Sequence, residues 1–238
     1  VNDMNNAING IGYILCGDLG NRFTYGSEFS IYADLLTNDY SVIENNGQTN
    51  SISNYTITNT DYPSEDGYSS YYKALANVNN ALASIPNITD GDEATINDLK
   101  GQLLAWRGLL HFDLARMFCH IPTTVADPSK ALGLVLADKV YDKDYKGTRT
   151  DLKKTYDYII QQFTDALPLL SKSSATGYFN YYGALALRAR AYLYAGEYDK
   201  ALADANEVIN SKAYSLYTKD KYASVWAEEG TSESIFEF

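Results

Sequence analysis

Apolar residues recur three and four residues apart along most of the chain, a spacing that places them on one face of a helix. This pattern predicts helices over residues 67–86, 92–119, 150–170 and 179–211, together with a short amphipathic helix over residues 1–15. The strongest stretch is KGQLLAWRGLLHFDLARMFCHIP, residues 100–122, which ends at Pro122 because proline cannot continue a helix.

The stretches between these helices, residues 21–66 and 123–148, are rich in polar and turn-forming residues, so we expect long irregular loops there. Within the first stretch, residues 30–36 have the apolar spacing of one or two helical turns. Alternation over residues 52–57 predicts at most one short strand. The final run, SESIFEF, is also predicted to be extended like a strand.

The last helix pair carries the spacing of a tetratricopeptide repeat, in which small residues, a tyrosine and a glycine stand at set offsets. The residues on that register are Ala189, Tyr192, Gly196, Tyr198, Ala201 and Ala205. Because one such pair cannot bury its apolar face alone, the other helices are expected to stack beside it. We therefore predict an all-α fold, a right-handed superhelical array of tetratricopeptide-like helix pairs with long irregular loops and at most short strands.

The balance of charge and the choice of aromatic residues narrow the function. The formal net charge is −11, which argues against nucleic acid, whose phosphates require a basic surface. Tyrosine is abundant, with 22 residues against 8 Phe and 2 Trp, and it suits half-wet surfaces because it joins an apolar face to a polar tip. Most of these tyrosines are expected to fill the seams between helices.

The sequence contains no recognisable catalytic or metal-binding motif. Cys16 and Cys119 lack the spacing of a metal site or a disulfide framework, and His111 and His120 are not at a ligand spacing. We therefore expect two free, buried thiols, with a single disulfide between them as the alternative, and no metal and no cofactor. Thirty acidic side chains leave a glycoside hydrolase open as one hypothesis, since they permit a chance pair of catalytic carboxylates.

Four segments, in this order, resemble the SusD/RagB family of bacterial outer-membrane nutrient-binding lipoproteins. They are YYKALANVNNALASIP, KGQLLAWRGLLHFDLARMFCHIP, RTDLKKTYDYIIQQFTDALPLL, and ALALRARAYLYAGEYDKALADANEVI with SESIFEF after it. The residues that match are Gly101, Arg107, Pro122, Arg149, Tyr156, Ala189, Arg190, Tyr192, Glu233 and Phe236. The departures are Gln102, Leu103, Cys119 and His120, which affect packing.

The resemblance implies a surface-exposed lipoprotein of polysaccharide utilisation, anchored at the outer membrane by a lipid outside this chain. Such a protein captures an oligosaccharide or polysaccharide, or a peptide, without catalysis and delivers it to a SusC-like TonB-dependent transporter. The chain is expected to be one helical domain, the N-terminal part of a member, with the family's C-terminal part outside it; Cys16 makes no convincing lipid-anchor cysteine. The alternative is a tetratricopeptide-type scaffold for protein–protein interaction.

If the ligand is a sugar, loops are the first place to look for its site, because an exposed aromatic face must stack on the ring beside groups that bond its hydroxyls. The polar segment before the second helix supplies the first candidates: Asn59, Asp61, Tyr62, Glu65, Asp66 and Tyr68. The segment YDKDYKG supplies a second set, Tyr141 and Tyr145. The competing interpretation is an ordinary polar loop anchored by its tyrosines.

Two arginines and two aromatic residues within the helices are expected to have structural roles. Arg107 and Arg190 each stand in an otherwise apolar helix, where an arginine usually bonds carbonyls or a carboxylate between repeats. Trp106 and Phe112 lie in the helix with the strongest apolar pattern and are expected in the core.

Overall fold

A computed structural model of the chain describes residues 1–16, 24–25, 28–37, 39–40, 42–43, 49–173 and 175–237, with the backbone alone at residues 28–30, 62 and 63. Its helices are α1 (Asn2–Cys16), α2 (Glu28–Leu35), α3 (Asn50–Ser53), α4 (Tyr62–Ser84), α5 (Glu93–Phe118), α6 (Leu152–Ala166), α7 (Tyr181–Ala195) and α8 (Tyr198–Ser211). Short 3-10 helices cover Ile85–Asn87, Pro122–Thr124 and Lys219–Trp226.

The long helices form a layered array in chain order. Helix α1 packs on α4, α4 on α5, α5 on α6, α6 on α7 and α7 on α8. The predicted all-α fold is therefore confirmed. The largest side chains buried between the layers are Trp106, Tyr71, Tyr156, Phe112, Phe163 and Phe179.

Helix α5 is the centre of the array because it is covered on both sides, by α4 and by α6. The Asp92 carboxylate begins it by accepting the N–H of Thr95 at 2.8 Å, which satisfies a donor that the helix itself leaves free. The chain leaves the helix at Cys119, whose backbone is extended. Trp106 and Phe112 are each only 1% exposed, as predicted for core residues.

The turn between α7 and α8 lies at Gly196, the glycine of the predicted repeat register. Gly196 closes α7 with φ +80°, a left-handed conformation that favours glycine, and its N–H donates to the carbonyl of Leu193. Across this pair the guanidinium of Arg188 bonds both carboxylate oxygens of Asp204, at 2.7 and 2.8 Å. Arg188, rather than the predicted Arg190, thus bridges these helices; Arg190 is exposed.

One predicted helix boundary was wrong, and neither of the short strands that the sequence allowed is present among the described residues. Helix α4 begins at Tyr62 rather than residue 67, since Pro63 is compatible with a first helical turn and Glu65 favours the helix N-terminus. Residues 50–53 are helical, and residues 232–237 form no strand. Within the described ranges the sole β-type pairing is the isolated bridge between Leu132 and Asp151, so an extended run elsewhere there has no ladder to join.

Candidate functional site

A cavity of about 410 Å³ lies between α4 and the connection that joins α5 to α6. We name it the tyrosine cavity. Its polar and aromatic lining residues are Tyr68, Tyr72, Asn79 and Asn80 from α4, and Lys139, Tyr141 and Tyr145 from the connection. Aliphatic residues of the connection, including Val135 and Val140, complete the lining. Residues 135–139 are called the wall segment, and residues 140–147 the tyrosine loop.

Helix α4 contributes two aromatic rings to the cavity from successive turns. Tyr68 and Tyr72 are four residues apart and therefore share a helix face. Their ring centroids are 4.6 Å apart, and the edge-to-face contact of Tyr68 with Phe118 spans 5.2 Å. Tyr68 remains 36% exposed, so part of its ring is open to a ligand. Tyr72 is more buried and donates its hydroxyl to the Val135 carbonyl at 2.7 Å.

The tyrosine loop contributes a stacked pair of rings. Tyr141 and Tyr145 lie with centroids 3.9 Å apart and planes at 20°. A turn closed by the bond from the Tyr145 N–H to the Asp142 carbonyl brings them together. The Tyr141 hydroxyl donates to the Asp138 carboxylate, and this bond raises the pKa of Tyr141. The Lys139 ammonium lies 5.4 Å from the centre of the Tyr141 ring, within reach of a cation–π contact.

Two polar groups of the cavity are available to a ligand. Asn80 is exposed, and its side-chain amide has no hydrogen-bond partner among the described residues. Lys139 is also exposed, and no carboxylate in the described part of the chain forms an ion pair with it. An amide and an ammonium beside exposed aromatic rings can bond hydroxyl or carboxylate groups of a ligand that stacks on the rings.

Arg107 lies behind the cavity and has the structural role expected of it. Its guanidinium donates to the carbonyl of Asp138 at 2.9 Å, to the Asn79 side-chain oxygen at 3.1 Å and to Gln162 of α6 at 2.7 Å. Three parts of the fold, α4, α6 and the wall segment, are thus tied to one side chain of α5. Arg107 does not line the cavity.

His111, one turn further along α5, is buried and bonded through both ring nitrogens. Nδ1 lies 2.8 Å from the Arg107 carbonyl, and Nε2 lies 3.0 Å from the backbone nitrogen of Ala137. Because a backbone N–H can only donate, Nε2 must accept and Nδ1 must carry the proton. Burial lowers the pKa of His111 to about 4, so the ring is neutral at physiological pH.

The structure brings together three of the predicted ligand residues, Tyr68, Tyr141 and Tyr145, although two separate segments supply them. The others from the first segment do not line the cavity: Asn59, Asp61, Glu65 and Asp66. The side chain of Tyr62 lies outside the described residues.

The Asp61 carboxylate instead accepts the N–H and the hydroxyl of Thr58, at 2.9 and 2.8 Å. These bonds lower the pKa of Asp61 and hold the chain where α4 begins. Tyr72, Asn80 and Lys139 were not among the ligand residues predicted from the sequence. The four-residue spacing from Tyr68 along α4 is the signal that could have identified Tyr72.

Other sequence expectations concern thiols, metals and membranes. Cys16 and Cys119 are free, but Cys16 is exposed, so the expectation that both are buried was wrong. Among the residues that the structure covers, no three His, Cys, Asp or Glu side chains converge as metal ligands would. None of the described helices combines the length and the apolar character that crossing a bilayer requires.

Comparison with known proteins defines the class of protein that this helical array belongs to. The sequence model of the SusD-like family, described as starch-binding and associating with the outer membrane, matches residues 4–193. The match spans well over half of the chain, and the chain belongs to this family. The resemblance inferred from sequence segments is therefore confirmed.

Individual relatives agree with the family assignment. A SusD superfamily protein from Bacteroides thetaiotaomicron superposes with a TM-score of 0.89 at 29% identity, over 100% of this chain and 52% of that one. One from Bacteroides vulgatus gives 0.88 at 31% identity, over 99% and 53%. SusD-like protein P2 of Formosa agariphila is 27% identical over 169 residues, 70% of this chain and 31% of that protein. The chain thus spans about half the length of these solved relatives.

Proposed function

We propose that the chain binds glycan without catalysis and holds a sugar unit in the tyrosine cavity. The observation that carries this proposal is the convergence of Tyr68, Tyr141 and Tyr145 on one cavity, beside the unpaired amide of Asn80. A sugar ring has an apolar face of C–H groups and a rim of hydroxyls, so it needs aromatic faces and polar side chains together. The family description as starch-binding agrees with that chemistry.

The size and polarity of the cavity suit such a ligand. Its volume of about 410 Å³ lies within the range of roughly 300–1,000 Å³ typical of small-molecule sites. The two rings of the tyrosine loop stack on each other, which leaves one face of Tyr145 for other contacts, while Lys139 lies over the Tyr141 ring. Asn80 can both donate to and accept from hydroxyls, whereas Lys139 can only donate.

The proposed role is binding rather than hydrolysis. Glycoside hydrolases usually need two carboxyl groups on either side of the scissile bond. Among the described residues that line the tyrosine cavity, none is Asp or Glu. Incubation with soluble starch or laminarin should therefore yield no new reducing ends. New reducing ends that form at a rate proportional to protein concentration would show that the protein is a glycoside hydrolase.

The primary experiment is affinity electrophoresis across a panel of polysaccharides, followed by calorimetry on those that retard the protein. Soluble starch, laminarin, xylan and pectin differ in linkage and charge and cover the main classes. Retardation by at least one of them is expected. A protein that migrates unretarded through every gel, with no heat of binding, contradicts the proposal.

The proposed setting is the outer membrane, where the protein would sit as a surface-exposed lipoprotein and pass glycan to a SusC-like TonB-dependent transporter. The family's description as associating with the outer membrane supports this setting. Pull-down from detergent-solubilised outer membranes of the native host should recover a TonB-dependent transporter. Recovery of soluble proteins alone favours the scaffold instead.

One feature favours that second candidate, a tetratricopeptide-type scaffold for protein partners. Helix α8 exposes a row of apolar residues at helical spacing, Tyr198, Leu202 and Ile209, each at least 60% exposed. Such rows serve as contact surfaces for other helices. Substitution of Leu202 and Ile209 by Ser should abolish capture of a soluble partner if the scaffold function is real, and should leave glycan retardation unchanged.

A further inference from the structure

The wall segment has an unusual set of backbone hydrogen bonds. It belongs to no helix and to no sheet, yet the backbone at four of its five positions bonds to side chains of the helices behind it. A backbone group left unpaired inside a protein costs free energy, so a segment without a ladder must find such partners. At one end of the segment, Tyr72 donates its hydroxyl to the Val135 carbonyl.

Asn79 makes two of these contacts with one amide group. Its Nδ2 donates to the carbonyls of Ala137 and Lys139, each at 2.9 Å, and the residue is only 3% exposed. The two carbonyls are two residues apart, so the amide bonds the segment at two points immediately before the tyrosine loop. A side chain without two N–H donors on one nitrogen cannot reproduce that arrangement.

Two residues of α5 complete the arrangement from the other side. His111 accepts the Ala137 N–H, and Arg107 donates to the Asp138 carbonyl. Arg107 also donates to the Asn79 oxygen, which turns the amide so that its nitrogen faces the wall segment. Neither Arg107 nor His111 lines the tyrosine cavity. Asn79 does line it, but both N–H groups of its side chain are bonded to the wall segment and so are not available to a ligand.

We propose that Asn79, Arg107 and His111 form a clamp that positions the wall segment for ligand binding. The clamp holds Lys139 and Tyr141 opposite the α4 rings, so the cavity exists before the glycan arrives. The inference rests on the proposed function of the same cavity. Preorganisation strengthens binding because the cost of ordering a loop is met during folding and is not subtracted from the affinity.

The competing explanation is that these hydrogen bonds stabilise the fold and have no bearing on the ligand. The two explanations predict different behaviour when the clamp is broken. A purely structural role lowers global stability and leaves affinity unchanged in the fraction of protein that remains folded. A positioning role loosens residues 135–141 locally and weakens binding while the rest of the helical array stays intact.

The test variant is Asn79→Leu, which keeps the approximate size of the side chain and removes both donors. Its matched control is Asn180→Leu. Asn180 is also buried, and its side chain makes two hydrogen bonds: it accepts the Gly183 N–H and donates to the Tyr214 hydroxyl, in the α7 cap away from the wall segment. Both variants lose a buried amide, so a general effect of that loss on stability appears in both.

Hydrogen exchange followed by mass spectrometry measures, in the absence of a ligand, whether the clamp holds the wall segment. In Asn79→Leu, peptides that cover residues 133–141 should exchange roughly tenfold faster than in the unaltered protein, while α6 peptides keep their protection. Asn180→Leu should leave residues 133–141 unaffected. Unchanged exchange of the wall segment in Asn79→Leu overturns the clamp, and so does faster exchange of equal size throughout α5 and α6.

Calorimetry with laminarin and with soluble starch then links the clamp to binding. Asn79→Leu should bind the retained polysaccharide roughly tenfold more weakly, and Asn180→Leu should bind it like the unaltered protein. Loss of wall protection without any change in affinity overturns the positioning role. If the unaltered protein binds neither of these polysaccharides nor any other in the panel, the proposed function fails. The exchange data alone then decide whether the clamp holds the wall segment.

Discussion

Tyr141 stacks on Tyr145 in the tyrosine loop, with ring centroids 3.9 Å apart and planes at 20°. The stacking fixes the orientation of two side chains that would otherwise rotate freely, since Tyr145 is 49% exposed. Tyr145 keeps one face for another partner, and Lys139 lies over the Tyr141 ring. The pair therefore offers a rigid aromatic surface beside Lys139, opposite Tyr68 and Tyr72 of α4.

Truncation of the stacked pair should weaken glycan binding more than removal of one contact. Tyr141→Ala removes a ring that lines the cavity and also the support of Tyr145 and Lys139, so we expect the affinity to fall roughly tenfold or more. Tyr68→Ala and Tyr145→Ala should each have smaller effects. The control is Tyr13→Ala, which removes a tyrosine that is 65% exposed on α1 and outside the cavity. Equal affinity of Tyr141→Ala and Tyr13→Ala in calorimetry would contradict the site.

His111 should make the folded state sensitive to acid. Its pKa is about 4 in the folded protein because of burial, against an ordinary value of 6.5 in an unfolded chain. Between these two values the unfolded state binds more protons, so the free energy of unfolding falls as the pH decreases from 6.5 to 4. The loss from this residue amounts to at most about 3 kcal/mol.

Asp113 should change the free energy of unfolding in the opposite direction over nearly the same pH range. Burial raises its pKa to about 6, although the positive charges of Arg116 and Arg190 act to lower it. As the pH falls, the folded state therefore binds a proton before the unfolded state does, and the free energy of unfolding rises. Urea denaturation at pH 7 and pH 4.5 should separate the two residues. His111→Gln should lose less stability on acidification than the unaltered protein, and Asp113→Asn should lose more. The same pH dependence in all three proteins would contradict both assignments.

Gly133 should be intolerant of any side chain. A Cβ atom there would lie 2.5 Å from the Asp151 carbonyl oxygen and would also collide with the hydroxyl of Thr155. Gly133→Ala should therefore lower the free energy of unfolding by at least about 2 kcal/mol. The matched control is Gly12→Ala in α1, where a Cβ meets no atom of the described residues within 4 Å. That variant should gain up to about 1 kcal/mol, because alanine favours helix over glycine.

The bidentate ion pair between Arg188 and Asp204 should contribute to the stability of the last helix pair. The two side chains are only 17% and 9% exposed, so removal of either leaves a poorly hydrated charge. We expect Asp204→Ala to cost about 3 kcal/mol and a double-mutant cycle with Arg188→Met to give a coupling of about 1–3 kcal/mol.

The exposed pair Lys153–Asp157, with side chains 63% and 51% exposed, provides the contrast within the same chain. Its cycle should give less than about 0.5 kcal/mol, since water and salt screen both charges. Similar couplings for the two pairs, measured by urea denaturation, would mean that burial does not decide their strength here.

Helix positions were predictable because apolar spacing reports directly on which face is buried. The four long helical regions and the turn at Gly196 are all present in the structure. Errors arose where local signals were weak. Pro63 within the first turn of α4 resembled a loop residue, and alternation over residues 52–57 resembled a strand, although no neighbouring strand was available to pair with it.

Part of the candidate site was predictable from the positions of tyrosines in the sequence. Exposed tyrosines in polar segments identified Tyr68, Tyr141 and Tyr145, but spacing could not tell which of their polar neighbours face the same way. Asp61 and Glu65 proved to belong to the start of α4, where carboxylates favour the helix N-terminus. Which arginine bridges the last helix pair also depended on rotation of α7, and Arg188 rather than Arg190 faces Asp204.

The sequence by itself determined the class of fold and the family, because helical periodicity and residue identity at set offsets are properties of the chain alone. Tertiary structure alone decided that two distant tyrosine segments line one cavity, since that depends on how α4 packs on α5 and where the α5–α6 connection returns. It also decided the role of Asn79, Arg107 and His111. Their hydrogen bonds go to the backbone of a remote segment, and backbone groups carry no sequence signal of their partners.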